Sequence, residues 1–365
     1  LYYNQPILAL MSRSFEVPLS QIGLIPTLTQ LGYALGMFLF LPLGDRSDRR
    51  KLIVGLSVSN AIALCCNAGT TQFVTLAIAS LVNGMTAVTP QLLVPFAAQL
   101  ATPEQRGRTI GKVMSGLLLG IVLSRLFSGT VGTVLGWRSL FWIGAMLMLG
   151  LAIVLMIVLP KQSSSPVQLS YFTLLKSLPQ LLAQYPLLQD CALNGAMFFG
   201  AYSGFWATLP FLLERPPLGY GSQVAGMFGL VGFAGTAAAL WVGKLADRTS
   251  PRLTVKLAIA LITLSFGVLF GLRREIMGLM IGATLLDLGT QTGQVSNQAR
   301  IYTLPISALN RITTIYMVSY FLGGSLGSYA STIAWSLAGW NGGCAIGLGM
   351  MAIASLTHLE TRRPQ

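Results

Sequence analysis

Residues 22–51 read IGLIPTLTQLGYALGMFLFLPLGDRSDRRK. The part from 22 to 43 carries no charge and is long enough to cross a bilayer as a helix, which takes roughly 20 apolar residues. It stops abruptly at Asp45–Lys51, where every residue except Ser47 is charged. An uncharged span that ends in a basic loop is the repeating unit of a polytopic membrane protein. The unit recurs about two hundred residues on, where 223–252 read QVAGMFGLVGFAGTAAALWVGKLADRTSPR.

Composition extends this reading to the whole chain of 365 residues. The apolar set makes up 53% of it, charged residues only 9%, and mean hydropathy is +0.69. Soluble domains run near 25% charged, so a soluble enzyme, a disordered protein and a disulfide scaffold all fit poorly. Eleven apolar runs stand at about 22–43, 52–70, 73–98, 110–135, 139–160, 187–213, 223–246, 253–271, 276–298, 312–335 and 341–358. The opening LYYNQPILAL reads as the last turns of a twelfth. The chain starts at Leu1 and not at Met, so most of a first span and any leader are expected to precede it.

If the runs alternate across the bilayer, the basic clusters at 46–51, 106–112, 161–176, 244–256, 300–311 and 362–363 share one side. Arg13, Arg138, Arg215, Arg273 and Arg274 fall on the other, and Arg125 falls inside a span. Basic loops stay in the cytoplasm. Both termini of the intact protein are therefore expected there, in a bacterial inner membrane. The net charge of +13 is thus topological. The basic residues form no face with interleaved aromatics, and no nucleic-acid partner is expected.

The halves repeat each other. Pro6 maps to Pro210, Asp45 to Asp247, Pro103 to Pro305, Arg108 to Arg311, Met114 to Met317, Gly120 to Gly323 and Gly136-Trp137 to Gly339-Trp340, all at offsets of 202 to 204. An offset that holds over so long a stretch is a structural period. It contains six spans, so the copies have the same orientation, and two parallel six-helix bundles follow, with substrate between them near the midplane. The offset puts about 17 residues of the first span before Leu1. The expected fold is an all-α polytopic membrane protein of twelve-helix plan, with eleven complete helices and a first-helix stub. Its parts are an N-terminal bundle at 1–160, a connector at 161–186 beginning KQSSSP, and a C-terminal bundle at 187–365. The amphipathic piece Tyr171–Leu182 suits either the membrane surface or a hinge.

The two charged loops resemble the loop motif of the major facilitator superfamily. That motif has a Gly, two variable residues, Asp-Arg, then a basic cluster; the residues that resemble it here are Gly44, Asp45, Arg46, Arg49 and Arg50, and, more closely, Gly243, Asp247, Arg248 and Arg252. The resemblance implies a latch, in which these loops hold one conformation by charge pairing between neighbouring helices. It extends over essentially the whole chain. LYYNQP, PLGDR, SGLLLGIVLSR and LDLGTQTGQVSNQARIY look like a bacterial branch of efflux permeases near the drug:proton antiporters. Ser80 stands where such proteins often carry an Arg, and Ile121 follows Gly120 where a Pro is usual. The resemblance therefore implies the proton as coupling ion only in outline, and uniport or another ion stays open. It also implies a monomer.

Charge inside a membrane is costly and marks function by default. Asp287 lies near the middle of its span, and Gln291, Gln294 and Gln298 follow it on one helix face. In the resembled family this span lines the central cavity, which makes the stripe the first candidate for substrate and coupling; a hydrogen-bonded seam between helices is the plainer alternative. Arg125 is the second mid-span charge, either held by Asp287, facing the substrate or paired locally. Asn194 and Tyr202 share a face with Phe198 and Phe205, beside Trp206. Asp190 lies one turn into its span and is expected to reach the interface. Gly116, Gly120, Gly323, Gly324 and Gly327 suggest close helix packing. Cys65, Cys66, Cys191 and Cys344 read as small core residues, and with the lone His358 they form no metal or nucleophile pattern. No enzyme, metal or cofactor is expected. The chain reads as a secondary transporter of a small organic molecule by alternating access, with proton-coupled efflux as the finer expectation; the alternative is a truncated, transport-inactive remnant.

Overall fold

The computed structural model describes residues 2–44, 47–102, 105–160, 171–231, 251–305 and 308–360. Among these the regular elements are all helical. A 3-10 turn at Gln5–Ile7 leads into α1 (Leu8–Phe15), followed by α2 (Leu19–Ile22), α3 (Leu24–Gly44), α4 (Arg49–Gly69), α5 (Phe73–Thr86), α6 (Thr89–Leu100), α7 (Arg106–Val134) and α8 (Trp137–Val158). After the connector helix α9 (Tyr171–Gln184) come α10 (Pro186–Glu214), α11 (Ser222–Val231), α12 (Pro251–Gly271), α13 (Ile276–Ile301), α14 (Leu309–Ala338) and α15 (Trp340–Glu360). Seven described helical stretches are long and apolar enough to cross a membrane. Helices α13 to α15 match them in length with more polar or glycine-rich sequence.

The expected run at 73–98 is not one helix. It breaks at Ala87–Val88, and α6 restarts with Pro90 in its first turn. Proline has no N–H to donate and is favoured in the first turn of a helix, where that N–H would be unpaired anyway, and the break falls just before it. The repeat is visible in the backbone. Gly136 and Gly339 have φ of 82° and 59°, and each precedes a tryptophan that opens the next helix and is buried. Only glycine holds such φ values without strain.

Within the C-terminal bundle α10 packs on α14 and α12 on α13; within the N-terminal bundle α3 packs on α5 and α4 on α8. Close packing on α14 depends on glycine. A methyl at Gly323 would lie 2.1 Å from the Ala196 carbonyl oxygen, and one at Gly327 2.1 Å from that of Gly200. Gly116 and Gly120 on α7 face open space instead, and the close approaches of that helix are at Gly129 and Gly132. Sequence cannot distinguish a glycine that touches a neighbour from one that faces outward.

The two ends of the molecule differ. One, the clasp end, gathers the arginines of the sparsely charged loops. Arg13 pairs with Glu214 at 2.7 Å, Arg138 donates to Ser14 Oγ and to the Thr70 carbonyl, and Arg215, Arg273 and Arg274 border a single cleft. The other, the basic end, carries Arg49, Arg50 and Arg311. There α9 lies across both bundles: the Tyr171 hydroxyl donates to the Leu39 carbonyl on α3, and Arg311 of α14 donates to Ser177 Oγ. Leu174, Leu178 and Leu181 of α9 are buried against the protein, while Phe172 is exposed. The buried leucines of α9 are thus covered by the bundles.

Among the described residues, contacts between the bundles extend from mid-height to the clasp end. Helix α14 meets α3 through Phe321 tilted against Tyr33 at 4.4 Å, Ser325 Oγ donating to the Thr27 carbonyl at 3.0 Å, and Thr332 against Gly23. Helix α7 meets α11, where a methyl on Gly129 would lie 2.6 Å from the Ser222 carbonyl. Cys191 and Cys344 are core residues as expected, but Cys66 is exposed and Cys65 half-buried on the outer face of α4.

Candidate functional site

Asp287 stands midway along α13 and is buried. The neighbouring helix α12 meets this stretch with Ala258, Leu261 and Ile262 packed at Gly289, which turns the acid toward α10. There the Tyr202 hydroxyl faces the Asp287 carboxylate. The same hydroxyl accepts a hydrogen bond from Arg125 Nη2 at 2.9 Å. Arg125 comes from α7 of the other bundle, so Tyr202 stands between a buried cation and a buried acid across the interface.

Arg125 is 2% exposed and is held by more than Tyr202. Its guanidinium lies 3.8 Å above the Trp206 ring and within cation–π range of Tyr2, and Nη2 also donates to Gln5 Oε1 at 3.3 Å. Stacking on an indole stabilises a desolvated guanidinium. Two atoms of the pair lack a hydrogen-bond partner: Asp287 Oδ2 and Arg125 Nε. Buried polar atoms are seldom left so, because each forfeits its hydration without replacement. An acid with one unfilled oxygen in such a place is equipped to exchange a proton or to accept a hydrogen bond from a ligand.

The glutamines of α13 divide along the helix. Gln294 Oε1 accepts from the Tyr320 hydroxyl at 3.4 Å, and Gln291 and Gln298 are half-buried. Aromatic rings cover the region between: Phe199 stacks on Tyr320 at 4.2 Å and on Tyr202 at 5.6 Å, and meets Phe321 edge-on. Across the interface Gln30 Oε1 is buried without a partner beside Gly324. The arrangement is an aromatic wall with a few fixed amides, an acid and a guanidinium, which suits a small organic molecule.

Asn194 does not belong to this group, although it shares a helix face with Tyr202. Its Nδ2 donates to Asp190 Oδ1 at 2.7 Å, and Asp190 Oδ2 pairs with Arg300 Nη2 at 2.5 Å. Asp190 was expected at the interface and Arg300 in a basic loop; both are buried, at 5% and 6% exposure. The spacing Asp190–Asn194 was legible as one helix turn, but its partner on α13 was not. Phe198 likewise turns away, filling the space above Gly293 inside the C-terminal bundle. Tyr2, Gln5 and Tyr320, which sequence reasoning did not single out, complete the site.

Of the latch residues, Gly44 is packed against Leu92, and Arg49 donates to the Gly44 carbonyl at 2.9 Å and to Gln99 Oε1 at 2.7 Å. Asp48 caps α4 through the Arg50 amide, and the Arg50 side chain reaches the Met156 carbonyl. These bonds tie α3, α4, α6 and α8 of one bundle together. Arg252 is exposed at the start of α12. Asp45, Arg46, Gly243, Asp247 and Arg248 lie outside the described residues. Two clefts, of ≈ 210 and ≈ 320 Å³, lie at the clasp end and hold none of the central residues. Among the described residues no cluster could hold a metal ion.

The chain is 38% identical over 346 residues to the uncharacterized transporter YgaY of Escherichia coli O157:H7, covering 95% of this chain and 88% of that one. It is 34% identical over 352 residues to a Streptomyces coelicolor protein named as a transporter, covering 95% and 80%. The fold superposes on the bacterial homologue of the lysosomal transporter Spinster, solved inward-facing and unoccupied, with a TM-score of 0.76, 16% identity and coverage of 100% and 95%. Residues 1–328 match the profile of the Major Facilitator Superfamily. Two helical bundles in parallel repeat, with a polar site between them, agree with that match, and the chain is a multi-pass membrane transporter of the major facilitator superfamily.

Proposed function

We propose that this transporter exports a small organic molecule from the cytoplasm in exchange for protons, by alternating access, as a monomer in a bacterial inner membrane with the basic end and both termini cytoplasmic. The observation that carries the reading is Asp287: an acid buried at the middle of α13, facing the Tyr202–Arg125 link between the bundles, with Oδ2 unpartnered. Intramembrane acids in such positions serve proton and ion pathways. The positive-inside rule supports the sidedness. The close bundle contacts that reach the clasp end support a state closed to the outside. Asp287 is the coupling acid, Gln291, Gln294 and Gln298 offer hydrogen bonds to the substrate, and the aromatic wall holds its apolar surface. The loops at Asp45 and Asp247 close the cytoplasmic side in the alternate state.

The test is transport by purified protein in liposomes with an imposed pH gradient. Uphill movement of a compound from an efflux panel is expected for the protein with its first helix restored. Asp287→Asn should abolish uphill movement and leave binding, read by ligand-dependent thermal shift, less affected. If Asp287→Asn still concentrates substrate, Asp287 is not the coupling acid.

A further inference from the structure

Five arginines stand in the sparsely charged loops at the clasp end, and their surroundings differ. Arg13 pairs with Glu214, and Arg138 donates to Ser14 and Thr70 and lies 4.3 Å from the centre of the Trp137 ring. Arg215, Arg273 and Arg274 instead converge on the cleft of ≈ 210 Å³ that also borders Trp335, Trp340 and Asn341. None of the residues lining it is acidic, and Glu275, beside Arg274, lies outside the lining. Arg215 lies over the Trp335 ring at 5.1 Å, and Arg273 donates to the Phe270 carbonyl of its own turn at 3.1 Å. Among the described residues Arg274 has no hydrogen-bond or ion-pair partner. Three guanidiniums around one opening repel one another, and an anion between them removes the repulsion. The same wall holds a neutral donor without an acceptor. Trp335 is 3% exposed and its Nε1 has no hydrogen-bond partner, whereas Nε1 of Trp340 donates to the Leu269 carbonyl at 2.8 Å. A buried N–H is seldom left so.

We propose that this cleft binds the phosphate of an anionic lipid headgroup from the leaflet at the clasp end. Guanidiniums meet phosphate oxygens in pairs of charge-assisted hydrogen bonds, and the Trp335 N–H and the Asn341 amide add neutral donors. A cleft of this size takes a phosphate and its glycerol, and the acyl chains stay outside. The surface beside it suits them. Leu337, next to Ala338 of the lining, is 83% exposed, and Phe270, Leu272 and Met277, which flank Arg273 and Arg274, are exposed as well. Exposed apolar side chains at the end of a span, beside interfacial tryptophans, are the surface that lipid covers. A soluble phosphate would use the arginines and leave that rim bare; a lipid uses both. Basic pockets between helix ends are a known form of headgroup site. The lining belongs wholly to the C-terminal bundle, from the ends of α10 and α14, the start of α15 and the connection between α12 and α13. An occupant therefore ties three connections of one bundle together, independently of Asp287.

The test is photolabelling of the full protein in phosphatidylcholine vesicles that hold a trace of phosphatidylglycerol with a diazirine on its acyl chain close to the glycerol. Labelled peptides are mapped by mass spectrometry, and label is expected at residues 270–277 and 335–341. Added phosphatidylglycerol should remove it, and added phosphatidylcholine, whose headgroup has no net charge, should not. Arg274→Gln should lower this label by about tenfold, as the loss of one charge-assisted hydrogen bond implies, and Arg274→Lys should restore part of it. Arg274 is exposed and unpartnered, so its replacement leaves the fold intact, and label at exposed Phe172 of α9, at the basic end, is the reference within each sample. Arg13→Gln removes a charge from the same end outside the cleft and should leave the label unchanged. If Arg274→Gln is labelled as the parent is, or added phosphatidylcholine competes as well as phosphatidylglycerol, these residues meet bulk lipid only and the proposal is wrong. If inorganic phosphate displaces the label as well as phosphatidylglycerol does, the cleft takes a soluble anion and the assignment to a lipid is overturned.

Discussion

Replacing Asp190 by leucine would leave the Arg300 guanidinium buried without its carboxylate. The pair is closed at 2.5 Å, with side-chain exposures of 1% for Asp190 and 6% for Arg300, and Asn194 holds the second carboxylate oxygen at 2.7 Å. Breaking a buried pair by removing one partner costs about 3–5 kcal/mol, because the remaining charge keeps its desolvation penalty and loses its compensation. The Asn194 amide still donates to the Asp190 backbone carbonyl at 2.9 Å, so its loss adds little. Arg300→Met should cost a similar amount by stranding the carboxylate. The double variant should recover most of either loss, since an apolar pair of similar volume is often neutral. In a chain of this size each kcal/mol moves the midpoint by about 2 °C, so each single change should lower it by roughly 6–10 °C. Tryptophan-fluorescence melting of purified protein in detergent, at one heating rate for all four proteins, completes the double-mutant cycle. Single losses under about 1 kcal/mol that add in the double variant would refute a desolvated pair.

Two further outcomes follow from the geometry. Gly327→Ala places a methyl 2.1 Å from a backbone oxygen and should destabilise the α10–α14 contact by about 1–3 kcal/mol, whereas Gly116→Ala and Gly120→Ala meet nothing and should be neutral or gain up to about 1 kcal/mol in helix propensity; thermal midpoints of the three variants check both directions. Arg13 is 70% exposed, so its pair with Glu214 is worth at most about 1 kcal/mol, and Glu214→Arg should raise the labelling rate of a cysteine placed at buried Ser222 by up to about fivefold, with Arg13→Glu in the same chain reversing it.

The fold was legible because the membrane imposes a simple code. A span must be uncharged over roughly 20 residues, and the basic loops must stay on one side. Those two conditions, with the offset that ties Asp45 to Asp247 and Gly136 to Gly339, carry the bundle plan without any contact information. Asp287 and Arg125 were legible for the same reason, as charges where charge is costly. Their relation was not, because Arg125 and Tyr202 are 77 residues apart and sit on different bundles.

Composition and spacing by themselves determined the membrane class, the number and alternation of spans, the repeat and the two mid-span charges. Tertiary structure decided which polar residues act together. Asn194 and Tyr202 lie on one face of α10, yet the first belongs to the Asp190–Arg300 pair and the second to Asp287 and Arg125. A helix face tells which way a side chain points, and its partner depends on which neighbouring helix presents an opposite charge at that height. The glycines divided in the same way, with Gly129 and Gly327 at contacts and Gly116 and Gly120 in the open. Hydrophobic periodicity places a residue relative to its own helix axis, but the packing of one helix on another fixes the height and rotation at which partners meet.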